Sequence, residues 1–232
     1  MNLDKGFINN PAFLIKMKEI KGVRLAFLRI LGEFIMTGEG CKYLYSIGVL
    51  KFFETCFKFS KSLQESELLW YKEVYWALTN FFMDNSDFIL KAGRTTEIFE
   101  LAYEIGKDNL NMKSLLKEVL IMFSKVIGEI DPSQGMKIIS KGIGILNFFM
   151  AVLQDESNYK NDILYPLLLT LYKVLNYGTH IARFSGVNPL AEEFEKIEGF
   201  AKLDYILLIA NINEEVKEII EITIHDFNVD EL

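Results

Sequence analysis

A long repeat period constrains this chain more than any other feature. Four long amphipathic segments, near 21–36, 68–83, 112–127 and 162–177, recur along its 232 residues. Corresponding points, at positions 29, 76, 121 and 169, lie about 47, 45 and 48 residues apart, the period expected of helical solenoids. A polar break follows each segment, then a short helical stretch, a glycine and another apolar helix. The glycines fall in Ser46-Ile47-Gly48-Val49-Leu50, Lys91-Ala92-Gly93-Arg94, Ser140-Lys141-Gly142-Ile143 and Lys196-Ile197-Glu198-Gly199-Phe200. Glycine suits such a pivot because it accepts a positive φ and a close helix crossing. The predicted unit is therefore short helix, glycine, medium helix, long helix. One unit cannot cover its own apolar face, so units must stack on one another. Val and Ile occur at helical spacing, and no Asn-Gly or Asp-Gly turn joins two candidate strands. The expectation is an all-α solenoid of about four to five repeats. With only 4 prolines and no Ser/Gly/Pro-rich linker, residues 1–232 read as a single domain.

Composition narrows the function classes. The chain is 50% hydrophobic and carries a net charge of −7, which opposes a broad grip on phosphate backbones and suits basic partners. Cys41 and Cys56 lack metal-ligand or CxxC spacing and are expected to be reduced and packed. The first residues carry no apolar signal core and the longest apolar run is too short to span a bilayer, so a soluble, intracellular protein is expected. His180 and His225 stand apart, each without a zinc-type neighbour, and no nucleophile elbow, P-loop or GxGxxG pattern is present. No enzyme activity, catalytic residue, metal or cofactor is expected.

The segment Lys72-Glu73-Val74-Tyr75-Trp76-Ala77-Leu78-Thr79-Asn80 carries the functional signal. Trp76 and Asn80 are one helical turn apart and share a face. An indole can pack along the methylenes of a lysine or arginine, and a neighbouring carboxamide can bond both the N–H and the C=O of an extended peptide. Such a tryptophan could equally serve as core filler. Trp70 is expected to pack.

This segment resembles the third-helix signature Lys-Glu-Ala-Cys-Trp-Ala-Ile-Ser-Asn of the importin-α family, with Glu73, Trp76, Thr79 and Asn80 on matching positions. The stretch from Leu25 to Ile35, with Thr37-Gly38 after it, is similar to that family's Ala-Leu-Arg-Ala-Val-Gly-Asn-Ile-Val-Thr-Gly helix. Residues Asn188 to Gly199, Asn213 to Val216 and Ile224 to Phe227 resemble its final repeat. The resemblance runs from about Lys21 onward and corresponds to the C-terminal half of such a protein, either a fragment or a reduced homologue. It implies a right-handed armadillo-repeat superhelical solenoid with third helices at the four segments above and a capping repeat over 188–227. It implies a nuclear import adaptor, moving between cytoplasm and nucleus, that binds a basic nuclear localisation signal peptide in a concave groove. The final repeat would meet the export receptor, unless its acidic surface serves only as a soluble cap. Importin-β would join only through a basic N-terminal segment outside this chain, and neither nucleic acid nor membrane is an expected partner.

In that family, Trp and Asn from successive third helices form ladders. The same two positions here read Arg29 and Glu33, Trp76 and Asn80, Ile121 and Lys125, Leu169 and Lys173. Only one full pair remains. The resemblance implies a peptide-binding set of Trp76, Asn80, Glu73, Thr79, Glu118, Arg29 and Glu33, with Glu73 and Glu118 receiving basic side chains. Arg29 could instead form an i,i+4 bridge to Glu33. Lys125 and Lys173 would repel a cationic peptide unless carboxylates neutralise them. These substitutions leave a second reading open, a general armadillo scaffold for a non-signal protein partner.

Overall fold

A computed structural model of the chain describes residues 10, 21–58, 65–131, 134 and 144–228. Among them are twelve α-helices and no strand, so the protein is all-α. Contacts along the chain group into two compact units that divide between Asn109 and Leu110.

The first unit contains α1 (Lys21–Ile35), α2 (Gly38–Ser46), α3 (Val49–Lys58), α4 (Glu65–Phe82), α5 (Ser86–Thr95) and α6 (Ile98–Asp108). Long helix α1 packs on long helix α4, and medium helix α3 packs on medium helix α6. Each element of one short-medium-long set thus meets its counterpart in the next. Aromatic side chains fill the space between, with the Phe88 ring stacked on Phe81 at 5.2 Å and on Tyr45 at 4.2 Å. Fully buried Tyr75 has its one polar atom satisfied, because its hydroxyl donates to the Ala102 carbonyl at 2.6 Å. Cys41 and Cys56 are buried free thiols, and burial pushes Cys41 up to about 11, far from a reactive thiolate.

The second unit contains α7 (Lys113–Glu129), α8 (Ile145–Gln154), α9 (Asn161–Ser185), α10 (Pro189–Lys196), α11 (Gly199–Ile209) and α12 (Glu214–Phe227). The same pairing recurs: α7 packs on α9, α9 on α12, and α8 on α11. A one-turn 3-10 helix at Glu156–Asn158 leads into α9 and is tied to α7 by Lys113, which pairs with Asp155 at 2.6 Å and bonds the Asn158 side chain. Asn188 starts α10, its Oδ1 accepting from the N–H groups of Leu190 and Ala191, with Pro189 preorganised in the first turn. Asn213 starts α12 in the same way through the Val216 N–H.

The long helices fall where the period puts them, and the glycines only partly so. Gly48 lies between α2 and α3 with φ +88°, a conformation that strains any residue with a Cβ. Gly93, expected to separate two helices, is buried inside α5. That helix ends three residues later at extended Thr96, whose hydroxyl turns back to the Ala92 carbonyl at 2.7 Å. Gly142 lies outside the described residues. Gly199 opens α11, but the positive φ falls on Glu198, and Gly199 serves close packing, since a Cβ there would come within 2.5 Å of the Phe194 ring. Helix α9 also runs past the expected 177 to Ser185 and stops at left-handed Gly186, whose N–H bonds the Ala182 carbonyl.

Candidate functional site

Helix α4 shows which of its faces remains available to a ligand. From Trp70 to Phe82, the residues Trp70, Tyr71, Val74, Tyr75, Ala77, Leu78, Thr79, Phe81 and Phe82 are all buried. What remains is Lys72, Glu73, Trp76 and Asn80, half-buried, followed by exposed Met83. Positions 73, 76, 80 and 83 form one helical stripe. Three of the sequence-derived peptide contacts therefore lie together on the only accessible strip of that stretch of α4.

The placement of Trp76 depends on α1. A Cβ built at Gly32 would lie 2.1 Å from the indole Cζ3, so the six-membered ring rests directly on the Gly32 backbone. A larger residue at 32 would force the indole out of this seat. One turn on, the Asn80 carboxamide is half-buried and its Nδ2 is buried without a hydrogen-bond partner. An unmet buried donor costs about 1–3 kcal/mol.

Glu73 is already engaged. Arg29 Nε and Nη2 donate to its Oε1 at 3.0 and 2.9 Å, and the carboxylate holds the guanidinium pKa above its ordinary value, by the hydrogen bond first and by charge second. Arg29 is largely exposed, whereas the Glu73 side chain is only 14% exposed. The i,i+4 bridge from Arg29 to Glu33 is not formed: the arginine reaches across to α4, and Glu33 stays exposed on α1. Thr79 does not share the stripe. It is buried, and its hydroxyl donates to the Tyr75 carbonyl at 2.8 Å, so its side chain packs within the helix rather than facing a ligand. Trp70 is 5% exposed and sits under the Arg24 guanidinium, 5.1 Å from ring centroid to Cζ, as its expected packing role requires.

Glu118, the remaining expected contact, lies half-buried on α7 in the second unit. That unit has its own cleft of about 650 Å³ between α7, α9 and the start of α12. All four substituted ladder positions, Ile121, Lys125, Leu169 and Lys173, line it; Glu118 does not. Tyr165 and Pro166 add an aromatic and a ring wall one turn before Leu169. Tyr165 is 41% exposed, and its position on the same face as Leu169 and Lys173 could have been read from the i,i+4 spacing.

Among the described residues no group of three or more His, Cys, Asp or Glu could hold a metal ion, and no helix is long and apolar enough to cross a membrane. No family model matches the chain, and no curated protein matches it either.

Proposed function

We propose that this chain is an importin-α-like nuclear import adaptor built from stacked armadillo repeats, and that it binds an extended basic signal peptide along the accessible stripe of α4. The observation that carries the reading is that stripe: between Trp70 and Phe82, α4 leaves only Lys72, Glu73, Trp76 and Asn80 partly accessible, with Glu73 held by Arg29. The matched packing of long on long and medium on medium helices within each unit supports the repeat architecture. Trp76 would flank the methylenes of a lysine or arginine, Asn80 would bond the peptide backbone, and Glu73 and Glu33 would supply negative charge. On this reading the protein moves between cytoplasm and nucleus and meets its export receptor through α10–α12, whose first-turn residues Glu192, Glu214 and Glu215 are exposed.

Isothermal titration with a basic signal peptide tests the reading. Trp76→Ala is expected to weaken binding by about 1–3 kcal/mol, the range for losing an aromatic anchor. Unchanged affinity in a folded variant would refute the site. The lysine-lined cleft of the second unit favours the scaffold reading at that place.

A further inference from the structure

We propose that the cleft between α7, α9 and α12 binds an uncharged extended peptide with large apolar side chains, one of its N–H groups donating to the Asp162 carbonyl and its side chains packing on Tyr165, Ile121 and Leu169.

The proline inside α9 carries the inference. Pro166 lies within that helix, beyond the first turn in which proline is tolerated. It has no N–H for the carbonyl four residues back, and its ring crowds that carbonyl, so Asp162 loses its regular helical donor. Asp162 and Pro166 both line the cleft, which puts this carbonyl on the cleft side of α9. A backbone acceptor without its helical partner must be met by water or by another donor. The edge of an extended peptide presents such donors at a regular spacing.

The lining asks for no charged partner. Asp162 pairs with Lys117 at 3.2 Å, and Lys173 is already engaged. That leaves one lysine, Lys125, and one carboxylate, Glu215, which balance. The rest of the wall is largely apolar, with Ile121 and Leu169 half-buried and Tyr165 exposed one turn before Leu169. On α7 the half-buried Ser124 hydroxyl can donate to a peptide carbonyl. A volume of about 650 Å³ is that of a cleft able to enclose most of a small ligand. Because side chains alternate along an extended chain, one set can face the apolar wall while the backbone edge meets Asp162.

The test is fluorescence anisotropy on the full chain with a short labelled, end-blocked peptide of alternating glutamine and leucine. Its companions are a glutamine-alanine counterpart and a series of esters, each with one backbone N–H replaced by oxygen. The leucine peptide is expected to bind on the order of tenfold tighter than the alanine form. One ester should lose about three- to tenfold. Pro166→Ala gives residue 166 an N–H that reclaims the Asp162 carbonyl. That variant should bind the all-amide peptide as weakly as the parent binds the sensitive ester, and no longer tell the two apart. Tyr165→Ala, at an exposed position, should weaken the leucine peptide while the chain still melts as the parent does. The inference is overturned if the leucine peptide binds no tighter than the alanine form, if no ester loses affinity, or if a folded Pro166→Ala chain keeps the ester effect. A glutamate-leucine or lysine-leucine peptide binding about tenfold tighter than the glutamine form would equally overturn it. The inference does not rest on the adaptor reading. Trp76→Ala should weaken a basic signal peptide and leave the leucine peptide unaffected, and loss of the leucine peptide in that variant would move its site to α4 and overturn the inference alone.

Discussion

At the scale of single residues, the pair of Arg29 and Glu73 bears directly on the basic ligand proposed above. A signal peptide that places a lysine or arginine at Glu73 must compete with an arginine already bound there at 2.9 Å. Because Arg29 is exposed, the pair is screened and adds little to folding. Arg29→Ala should therefore tighten a basic peptide roughly two- to fivefold with little change in the unfolding midpoint, as anisotropy and denaturant titration would show. A loss of affinity would instead make Arg29 a ligand contact in its own right. This pair was not legible in the sequence, since its partners are 44 residues apart and meet only through the register of α1 against α4. The i,i+4 rule pointed to Glu33 because spacing within one helix is all that a sequence displays. Trp76 and Asn80 were legible for that same reason, their relation being contained within one helix. Thr79 was matched by motif alone, although three residues on from Trp76 it turns into the core.

At the scale of elements, boundaries follow from caps more than from periodicity. The periods placed the long helices because each apolar face repeats for several turns, yet α5 continues through Gly93 and α9 continues to Ser185. A glycine inside a helix costs only about 1 kcal/mol, so it ends a helix only where the chain also changes direction. Asn188 is the strongest such device here. Besides capping α10, its Nδ2 donates to the Leu175 carbonyl of α9 at 3.0 Å, so it fixes how one helix leaves the other. Asn188→Ala is expected to cost about 0.5–2 kcal/mol in denaturant unfolding, where Asn188→Asp should retain the cap and lose only the link to α9. A second prediction concerns the tie between α7 and the 3-10 turn. The Lys113 hydrogen bond, followed by those from Ser157, holds the Asp155 carboxyl down at about 2 from an ordinary 3.8. A lowered carboxylate pKa contributes stability above the unfolded value that disappears as pH falls toward the folded one. Thermal melts between about pH 4 and pH 2 should therefore fall less steeply for Lys113→Met than for the parent chain. Identical slopes would remove Asp155 from the acid response.

At the scale of the whole molecule, two compact units carry two different faces. The first offers an indole and an amide beside carboxylates on α1 and α4. The second offers lysines and an aromatic wall on α7 and α9. The all-helical architecture was legible because a period of about 45 residues leaves few ways to bury the apolar faces. The character of the second cleft was legible only in part: Lys125 and Lys173 stood out as substitutions and Tyr165 shares the face of Leu169 and Lys173 by i,i+4 spacing, but the glycine seat of Lys173 depends on helix pairing. The central claim is that Trp76 forms the wall against which a basic peptide lies, and its own fluorescence reports this most directly. In Trp70→Phe the only remaining tryptophan is Trp76. Titrating that variant with a tryptophan-free basic signal peptide should shift its emission to shorter wavelength, saturating at the concentration where anisotropy shows the labelled peptide bound. Emission that stays constant while the peptide binds, or a peptide that does not bind, would contradict the account.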